Sequence, residues 1–197
     1  VRPTMKLLHI DSSALGEASV TRELSAAIVA AWRQARPDLQ VDYLDLDRDP
    51  LPHLTGATLA RQDPEAAARE DALVRQFLDA DVVVIGAPMY NFGIPSTLKA
   101  WIDRIAVRGK TFRYGPDGPE GLAGGRQVIV ASARGSAFGE GHAADFQEPY
   151  LRQLFAFLGV DQVRFVRAEG VGLSPAHRAS ALAAARAGIQ APLRDAA

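Results

Sequence analysis

Hydroxyl side chains are concentrated in the segment that follows the first apolar run of the sequence. Residues 11–21 read DSSALGEASVT, and a helical pattern begins at Ser19. The first amides of a helix lack intrahelical acceptors, and the helix dipole favours an anion beside them. A phosphate placed there would also receive the hydroxyls of Ser13, Ser19 and Thr21. Taken alone, the pattern favours a plainer interpretation, a cap at Ser19 with solvated loop hydroxyls, because serine and threonine are common at helix starts.

A second unusual segment is residues 86–95, GAPMYNFGIP, directly after the most apolar run. Its glycines and prolines predict a turn. At that turn Met89, Tyr90 and Phe92 place large side chains, and Asn91 places an amide. Flat aromatic cofactors need apolar contact for their rings and amide or backbone hydrogen bonds for their edges. The segment therefore favours a binding platform for a flat ring.

Short apolar runs and helical patterns alternate along the chain and would position these two segments. The runs predict strands at residues 6–10, 40–44, 81–85, 127–131 and 162–166. The helical patterns cover residues 19–36, 64–79, 96–107, 145–158 and 175 to about Pro192. Such alternation predicts a parallel α/β sheet with helices on both faces. Five units predict the doubly wound order 2-1-3-4-5, in which ligands bind beyond the carboxyl ends of the strands.

Two connections are longer than a compact domain usually allows. They are residues 45–63, after the second predicted strand, and residues 108–125, after the third predicted helix. Loops beyond about 12–15 residues are mostly functional or disordered. Because the second connection carries the aromatic residues Phe112 and Tyr114, it is interpreted as a functional loop.

The composition fits one domain and excludes several classes of function. The 197 residues are 48% apolar and 23% charged, enough to bury about 70% of the unfolded surface. We expect a single domain at residues 5–197, with residues 1–4 before Met5 as an extension or an alternative start. Lysine and arginine number 22 against 23 acidic residues, so nucleic acid is not an expected partner.

Localisation and redox chemistry follow from what the sequence lacks. The longest apolar stretch, residues 80–89, is far below the ~18 residues of a membrane helix, and no signal pattern precedes it. There are no cysteines, which is compatible with a reducing compartment. The chain is therefore expected to be cytoplasmic without a membrane partner, and any redox chemistry would need a bound cofactor.

Other candidate motifs carry little weight. Residues 139–144, GEGHAA, match a dinucleotide-binding fingerprint but lie several residues beyond their strand. Asp145 with Glu148, and Asp103 with Arg104, are interpreted as charges on helix surfaces. No metal is expected, since the histidines lack ligand spacing; they are His9, His53, His142 and His177.

Together the segments resemble the FMN-dependent NADH-azoreductases of the flavodoxin-like quinone reductase superfamily. The resemblance extends from Met5 onward and rests on Ser12-Ser13 with Ser19–Thr21, on APMYNF at 87–92, on TFRY at 111–114 with GPEGL at 118–122, and on ARG at 133–135. It implies a flavodoxin-like fold with FMN as cofactor, NADH or NADPH as donor, and quinones or azo compounds as acceptors. It also implies a homodimer with active sites at the interface.

The same resemblance assigns site residues. Those implied in cofactor binding are Ser13, Ser19, Val20, Thr21, Met89, Tyr90, Asn91, Phe92, Ala133, Arg134, Gly135 and Ser136. Those implied in the substrate pocket are Asn91, Phe112, Tyr114 and Phe157. Ala133 and Ser136 stand where the family has serine and glycine, with Ser132 one place earlier, which implies a shifted hydroxyl contact at the flavin edge. Helical spacing alone would place Phe155 and Phe157 in the core.

The expected mechanism is hydride transfer without a catalytic side chain, because a flavin accepts the hydride itself. Donor and acceptor would use one pocket in turn, which predicts ping-pong kinetics. Three alternatives stay open. They are an electron-carrier flavodoxin, which would typically be acidic, a flavin-free interaction or regulatory domain, and an FMN reductase that releases its flavin.

Overall fold

The structure, a computed structural model, describes residues 4–189. Its elements in chain order are β1 (Lys6–Asp11), α1 (Val20–Ala35), β2 (Gln40–Asp45), α2 (Gly56–Leu59), α3 (Pro64–Asp79), β3 (Val82–Pro88), α4 (Ser96–Ile105), β4 (Phe112–Gly115), β5 (Gly118–Gly121), β6 (Gln127–Ala133), α5 (Gln147–Phe157), β7 (Gln162–Ala168) and α6 (Pro175–Ala187). The predicted end of the last helix near Pro192 lies outside the described residues, as do residues 1–3.

Five strands form a parallel sheet in the order β2-β1-β3-β6-β7. This is the predicted order 2-1-3-4-5, and the flavodoxin-like fold class is confirmed. Each strand runs one to three residues past its predicted carboxyl end. The hydrophobic pattern missed these residues because the ladder continues through polar and small ones, for example Asp11, which pairs with Asp45 on one side and Gly86 on the other.

Successive side chains of each strand point to opposite faces of the sheet, and each face packs into its own hydrophobic core. Val83 and Ile85 of β3 join a core that also contains Trp101 of α4 and Phe155 of α5. Val82 and Val84 join the opposite core, which contains Leu24, Ile28 and Trp32 of α1. Helices therefore cover both faces, as continuous apolar strands require.

Three elements were not predicted: the hairpin of β4 and β5, the one-turn helix α2, and a 3-10 turn at Gly16–Ala18. The hairpin occupies the long connection after α4, and α2 lies in the connection after β2. All are short and lack a clear period, so the sequence pattern does not reveal them. Within residues 4–189, no helix is both long and apolar enough to span a bilayer.

Candidate functional site

The first and third loops beyond the carboxyl edge of the sheet meet through hydroxyl groups. Ser13 Oγ lies 3.2 Å from the Tyr90 hydroxyl, and the Ala14 amide donates to that hydroxyl over 3.2 Å. One residue earlier, Ser12 Oγ donates to the carbonyl of Gly86 over 2.7 Å. The two segments singled out in the sequence are thus in direct contact.

The start of α1 agrees in part with both interpretations of its hydroxyls, a helix cap and a phosphate site. Ser19 is the N-cap, and its Oγ accepts from the Arg22 amide, as the plainer interpretation predicts. The other hydroxyls are not solvated, however, because Ser13 is 0% and Thr21 is 1% exposed. Thr21 Oγ1 lies 3.1 Å from Ser19 Oγ. A buried hydroxyl cluster beside the unpaired first amides of a helix suits a phosphate.

The third loop is a tight turn with two strained residues at its tip. Tyr90 and Gly93 exchange backbone hydrogen bonds of 3.0 and 3.1 Å. Asn91 and Phe92 have φ values of +49° and +70°, a region that costs energy for residues other than glycine. Phe92 remains 53% exposed and stacks on Phe138 at a centroid distance of 6.5 Å. The turn therefore presents an aromatic ring to the outside.

The fourth loop joins the third through the end of β6. The Met89 amide donates to the Ala133 carbonyl over 2.9 Å. Ser132 is fully buried, and its Oγ has no hydrogen-bond partner within residues 4–189. Gly135 and Ser136 are exposed. The main chain of residues 133–136 thus borders the same edge as Met89.

The side chain of Arg134 is committed to the protein. It is 2% exposed, and its guanidinium bonds to Asp145, Glu148 and Glu169 at 2.7, 2.9 and 3.3 Å. The Arg134 backbone is also bonded, because its amide donates to the Ala168 carbonyl over 3.0 Å and its carbonyl accepts from the Val171 amide over 3.1 Å. Asp145 and Glu148 are 7% and 6% exposed, so the prediction that they are surface charges is wrong. Sequence could not show it, because Arg134 lies on a different element.

The loop 45–63 is also fixed by a buried arginine. Arg104 of α4 is 5% exposed, pairs with Glu70, and donates to the carbonyls of Pro52 and His53. Its interpretation as a surface charge is wrong, whereas Asp103 does pair with Lys99 on the outer side of the helix. This loop, α3 and α4 enclose a cavity of about 450 Å³.

Helix α5 begins on the third loop. Gln147 Nε2 donates to the carbonyls of Ala87 and Pro88 at 2.9 and 3.1 Å, and the Phe146 amide donates to the Phe92 carbonyl at 3.3 Å. Sequence reasoning missed Gln147, since a glutamine in the first turn of a helix carries no distinguishing signal.

The predicted substrate residues form a separate aromatic cluster at the other end of α5. Phe112 lies 4.6 Å from Phe157 and 5.6 Å from Tyr114, measured between ring centroids. Phe155 is fully buried in the core as helical spacing predicted, whereas Phe157 is only partly buried. From Gln147 to Phe157 the helix rises about 15 Å. The structure thus brings these three rings together but leaves them a helix length from the Met89–Phe92 turn.

A glycine contact fixes the base of the hairpin to the end of α5. Gly159, with φ of +88°, follows the helix, and a β-carbon there would lie 3.0 Å from the Gly121 carbonyl. A β-carbon on Gly121 would overlap the Gly159 backbone. The Ala123 amide donates to the Leu158 carbonyl beside them. The backbones approach closely because neither residue has a side chain.

The charged groups behind the first loop perturb one another. Arg22 lowers the pKa of Asp45 to about 2 through their hydrogen bonds. Burial, followed by the charge of Asp11, raises the pKa of Tyr43 to about 12. His9 Nε2 lies 2.9 Å from Ser25 Oγ, which donates to Asp11. Among the described residues, no group of three or more histidines or acids could hold a metal ion.

Comparisons with known proteins agree with this architecture. Residues 5–193 match the model of a family described as having a flavodoxin-like fold. An FMN-dependent NADH:quinone oxidoreductase of Xanthomonas oryzae pv. oryzae is 66% identical over 95% of this chain and 96% of its own length. A protein of the same name from Stenotrophomonas maltophilia is 58% identical over 94% of each.

A solved structure leads to the same group of proteins. The azoreductase from Bacillus anthracis str. Sterne superimposes with a TM-score of 0.84 and 29% identity, covering 94% of this chain and 96% of that one. With a curated relative two-thirds identical over nearly its whole length, this chain belongs to the family of FMN-dependent NADH:quinone oxidoreductases and azoreductases on the flavodoxin-like fold.

Proposed function

We propose that this chain is an FMN-dependent oxidoreductase that passes electrons from NADH or NADPH to quinones and azo compounds. The observation that carries the proposal is the contact between Ser13 and Tyr90, which puts a buried hydroxyl cluster beside an exposed aromatic turn. A phosphate on the first and a flat ring on the second would belong to one molecule. The relatives named above support the choice of FMN and of NADH.

The residues present fit a flavin mononucleotide. Ser13, Ser19 and Thr21 supply buried hydroxyls, and the first turn of α1 supplies the amides of Val20 and Thr21. These groups would hold the phosphate. Gly86 lets β3 lie close to β1 and α1 behind the first loop, because a β-carbon there would overlap the Asp11 carboxylate. The first loop and α1 are therefore shaped as a cradle, called here the phosphate cradle (Ser12–Thr21).

The ring would lie between the third and fourth loops. Met89 and Phe92 offer apolar contact, and Tyr90 and Asn91 offer polar groups. Gly135 and Ser136 offer main-chain amides. Ala133 has no hydroxyl, and the neighbouring Ser132 hydroxyl is buried in the strand. A side-chain hydroxyl in this loop can therefore come only from Ser136. The Gly135 amide would make another contact, because the Arg134 amide already donates to the Ala168 carbonyl.

Bound FMN would supply hydride acceptance and donation, so no acid or nucleophile of the chain is required. The task of the chain is placement: the third loop orients the ring, and amides beside Asn91 favour negative charge near its edge. Donor and acceptor would both need the open face of the ring. They would bind one after the other, which makes the kinetics ping-pong.

A second copy of the chain would complete the substrate pocket. Phe112, Tyr114 and Phe157 lie about a helix length from the third loop of their own chain, although Tyr114 and Phe92 are 62% and 53% exposed. In a homodimer the cluster of one protomer can cover the third loop of its partner. We propose such a dimer, with Asn91 on one side of the pocket and the three aromatic residues on the other.

Absorbance and steady-state kinetics test the proposal. The purified protein should be yellow, should bind one FMN on titration, and should oxidise NADH only when a quinone is added. Double-reciprocal plots at several quinone concentrations should be parallel. A colourless protein that binds no FMN would remove the proposal. Flavin lost on dialysis would favour a flavin-releasing reductase, and NADH oxidation that requires a protein partner would favour an electron carrier.

A further inference from the structure

Every N–H group of the Arg22 guanidinium is already used by the protein. Nε and Nη2 donate to the Ser13 carbonyl at 3.3 and 3.0 Å. Nη1 and Nη2 donate to the Asp45 carboxylate at 2.7 and 2.8 Å. Nη1 also donates to the Tyr43 hydroxyl at 3.3 Å. A guanidinium has five N–H donors, and these five bonds use all of them.

Arg22 is thus next to the phosphate cradle but turned away from it. Its side chain is 14% exposed, and Asp45, its bidentate partner, is 9% exposed. Asp11 and Asp47 lie 3.9 and 4.0 Å from the guanidinium, so its charge is neutralised on the side of β1 and β2. A phosphate would have to break this arrangement to gain a contact with Arg22.

The contact with Ser13 determines which way one peptide unit faces. The carbonyl of Ser13 and the amide of Ala14 belong to the same planar trans peptide and therefore point in opposite directions. Arg22 holds the carbonyl on the side of β2, where it also binds Asp45. The Ala14 amide consequently points away from β2, to the Tyr90 hydroxyl at 3.2 Å, beside Ser13 Oγ. A flipped peptide would instead present the carbonyl oxygen to an anion in the cradle.

We propose that Arg22, anchored by Asp45, is a positioning residue that locks the Ser13–Ala14 peptide with its amide directed into the phosphate cradle. It contributes to phosphate binding without touching the phosphate. This inference rests on the proposed binding of FMN. It adds that the specificity of the cradle for a phosphorylated flavin depends on a partly buried pair 23 residues apart in the sequence.

The test compares FMN with riboflavin, which has the same ring without the phosphate. Apoprotein is titrated with each flavin, and binding is followed by fluorescence quenching. Arg22→Met should weaken FMN binding about tenfold or more, since hydrogen bonds to charged groups are the strong ones. Riboflavin affinity should stay within about twofold of the wild type. Arg33→Met, on the exposed last turn of the same helix, should change neither.

The Asp45→Asn variant separates positioning from direct contact by the sign of its effect. If Arg22 positions the peptide, loss of its anchor weakens FMN binding. If Arg22 were a phosphate ligand restrained by Asp45, releasing it would tighten FMN binding. Asp42→Asn on the same strand removes the same charge from an exposed position and controls for long-range electrostatics. Asp45→Asn keeps the guanidinium and decides the question even if Arg22→Met does not fold.

The double variant Arg22→Met/Asp45→Asn should bind FMN no more weakly than Arg22→Met alone, because both changes remove one coupled unit. Tighter FMN binding by Asp45→Asn, or equal losses for FMN and riboflavin, would overturn the inference. A wild-type protein that binds neither flavin would instead contradict the proposed function, so the two failures can be told apart.

Discussion

Ser13 and Tyr90 meet through hydroxyl groups at the carboxyl edge of the sheet, whereas Phe112, Tyr114 and Phe157 meet through ring contacts at the far end of α5. In the first region almost every polar group has a fixed partner, and the surrounding charges are buried or partly buried. In the second region the rings are half-buried or exposed and only the backbone at the base is held. We therefore expect the proposed phosphate cradle to be complete in one chain and the aromatic cluster to tolerate rearrangement.

The largest expected effect comes from removing the cation that anchors the fourth loop. Arg134→Met would leave Asp145 buried without a cation, whereas Glu148 would keep its ion pair with Arg167. Loss of one member of a buried pair costs about 3–5 kcal/mol, measured as the free energy of unfolding in urea. Arg113→Met, which removes an exposed partner of Glu120, should leave the free energy of unfolding almost unchanged, because solvent screens exposed ion pairs. Equal costs for both variants would contradict the contrast between buried and exposed charges.

A smaller effect is expected from adding a side chain at Gly86 of β3, behind the first loop. In Gly86→Ala the new methyl group would overlap the Asp11 carboxylate and lie 3.3 Å from the Thr21 carbonyl. Overpacking of this kind costs about 1–3 kcal/mol, again from urea unfolding. FMN affinity should fall with it, since Asp11 and Thr21 flank the first loop. Gly56→Ala, where a β-carbon meets no atom within 4 Å, is the control and should cost almost nothing.

Acid should weaken the cradle through Asp45. Its pKa is lowered from 3.8 to about 2 by Arg22, so its ion pair stabilises the fold above pH 4 and is lost as the pH falls toward 2. The shift corresponds to about 2 kcal/mol at most. The difference in unfolding free energy between the wild type and Asp45→Asn should therefore shrink between pH 5 and pH 2. Arg22→Met should show the same change, and a constant difference for either variant would contradict the assignment.

The aromatic cluster should give the smallest effect on stability and a selective one on function. Phe157→Ala would remove the proposed ring contact with the quinone. Such a contact is worth about 0.5–1.5 kcal/mol, so the KM for the quinone should rise about two- to tenfold. FMN affinity should be unchanged, because the cluster lies a helix length from the cradle of its own chain. Phe155→Ala is the contrasting variant: it removes a fully buried core ring and should destabilise the protein by about 3–5 kcal/mol. A loss of FMN by Phe157→Ala would place the cluster in the cofactor site.

The sequence predicts the sheet well because hydrophobic periodicity is a local property, and it predicts the two contacting segments because their residue types are unusual. It misses the supporting groups. Arg22 and Asp45 lie 23 residues apart, and Arg134 binds Asp145 and Glu148 from 11 and 14 residues away. Nothing in a local pattern shows that they meet. Gly86 was interpreted as part of a turn, although it lies within β3. A glycine is needed there because a β-carbon would overlap Asp11 on the neighbouring strand, and a local pattern does not show that contact.

The meeting of Gly121 and Gly159 has a consequence for how such a protein can diversify. Since any side chain at either position would force the two backbones apart, the root of the hairpin is intolerant of change, while its tip between Tyr114 and Gly118 is not constrained in this way. Side chains at Pro116 and Asp117 can therefore be exchanged without moving the base of the hairpin, whereas Gly118 has a φ of +121° and should stay glycine. A library randomised only at the tip should yield proteins with altered acceptor range and an undisturbed scaffold.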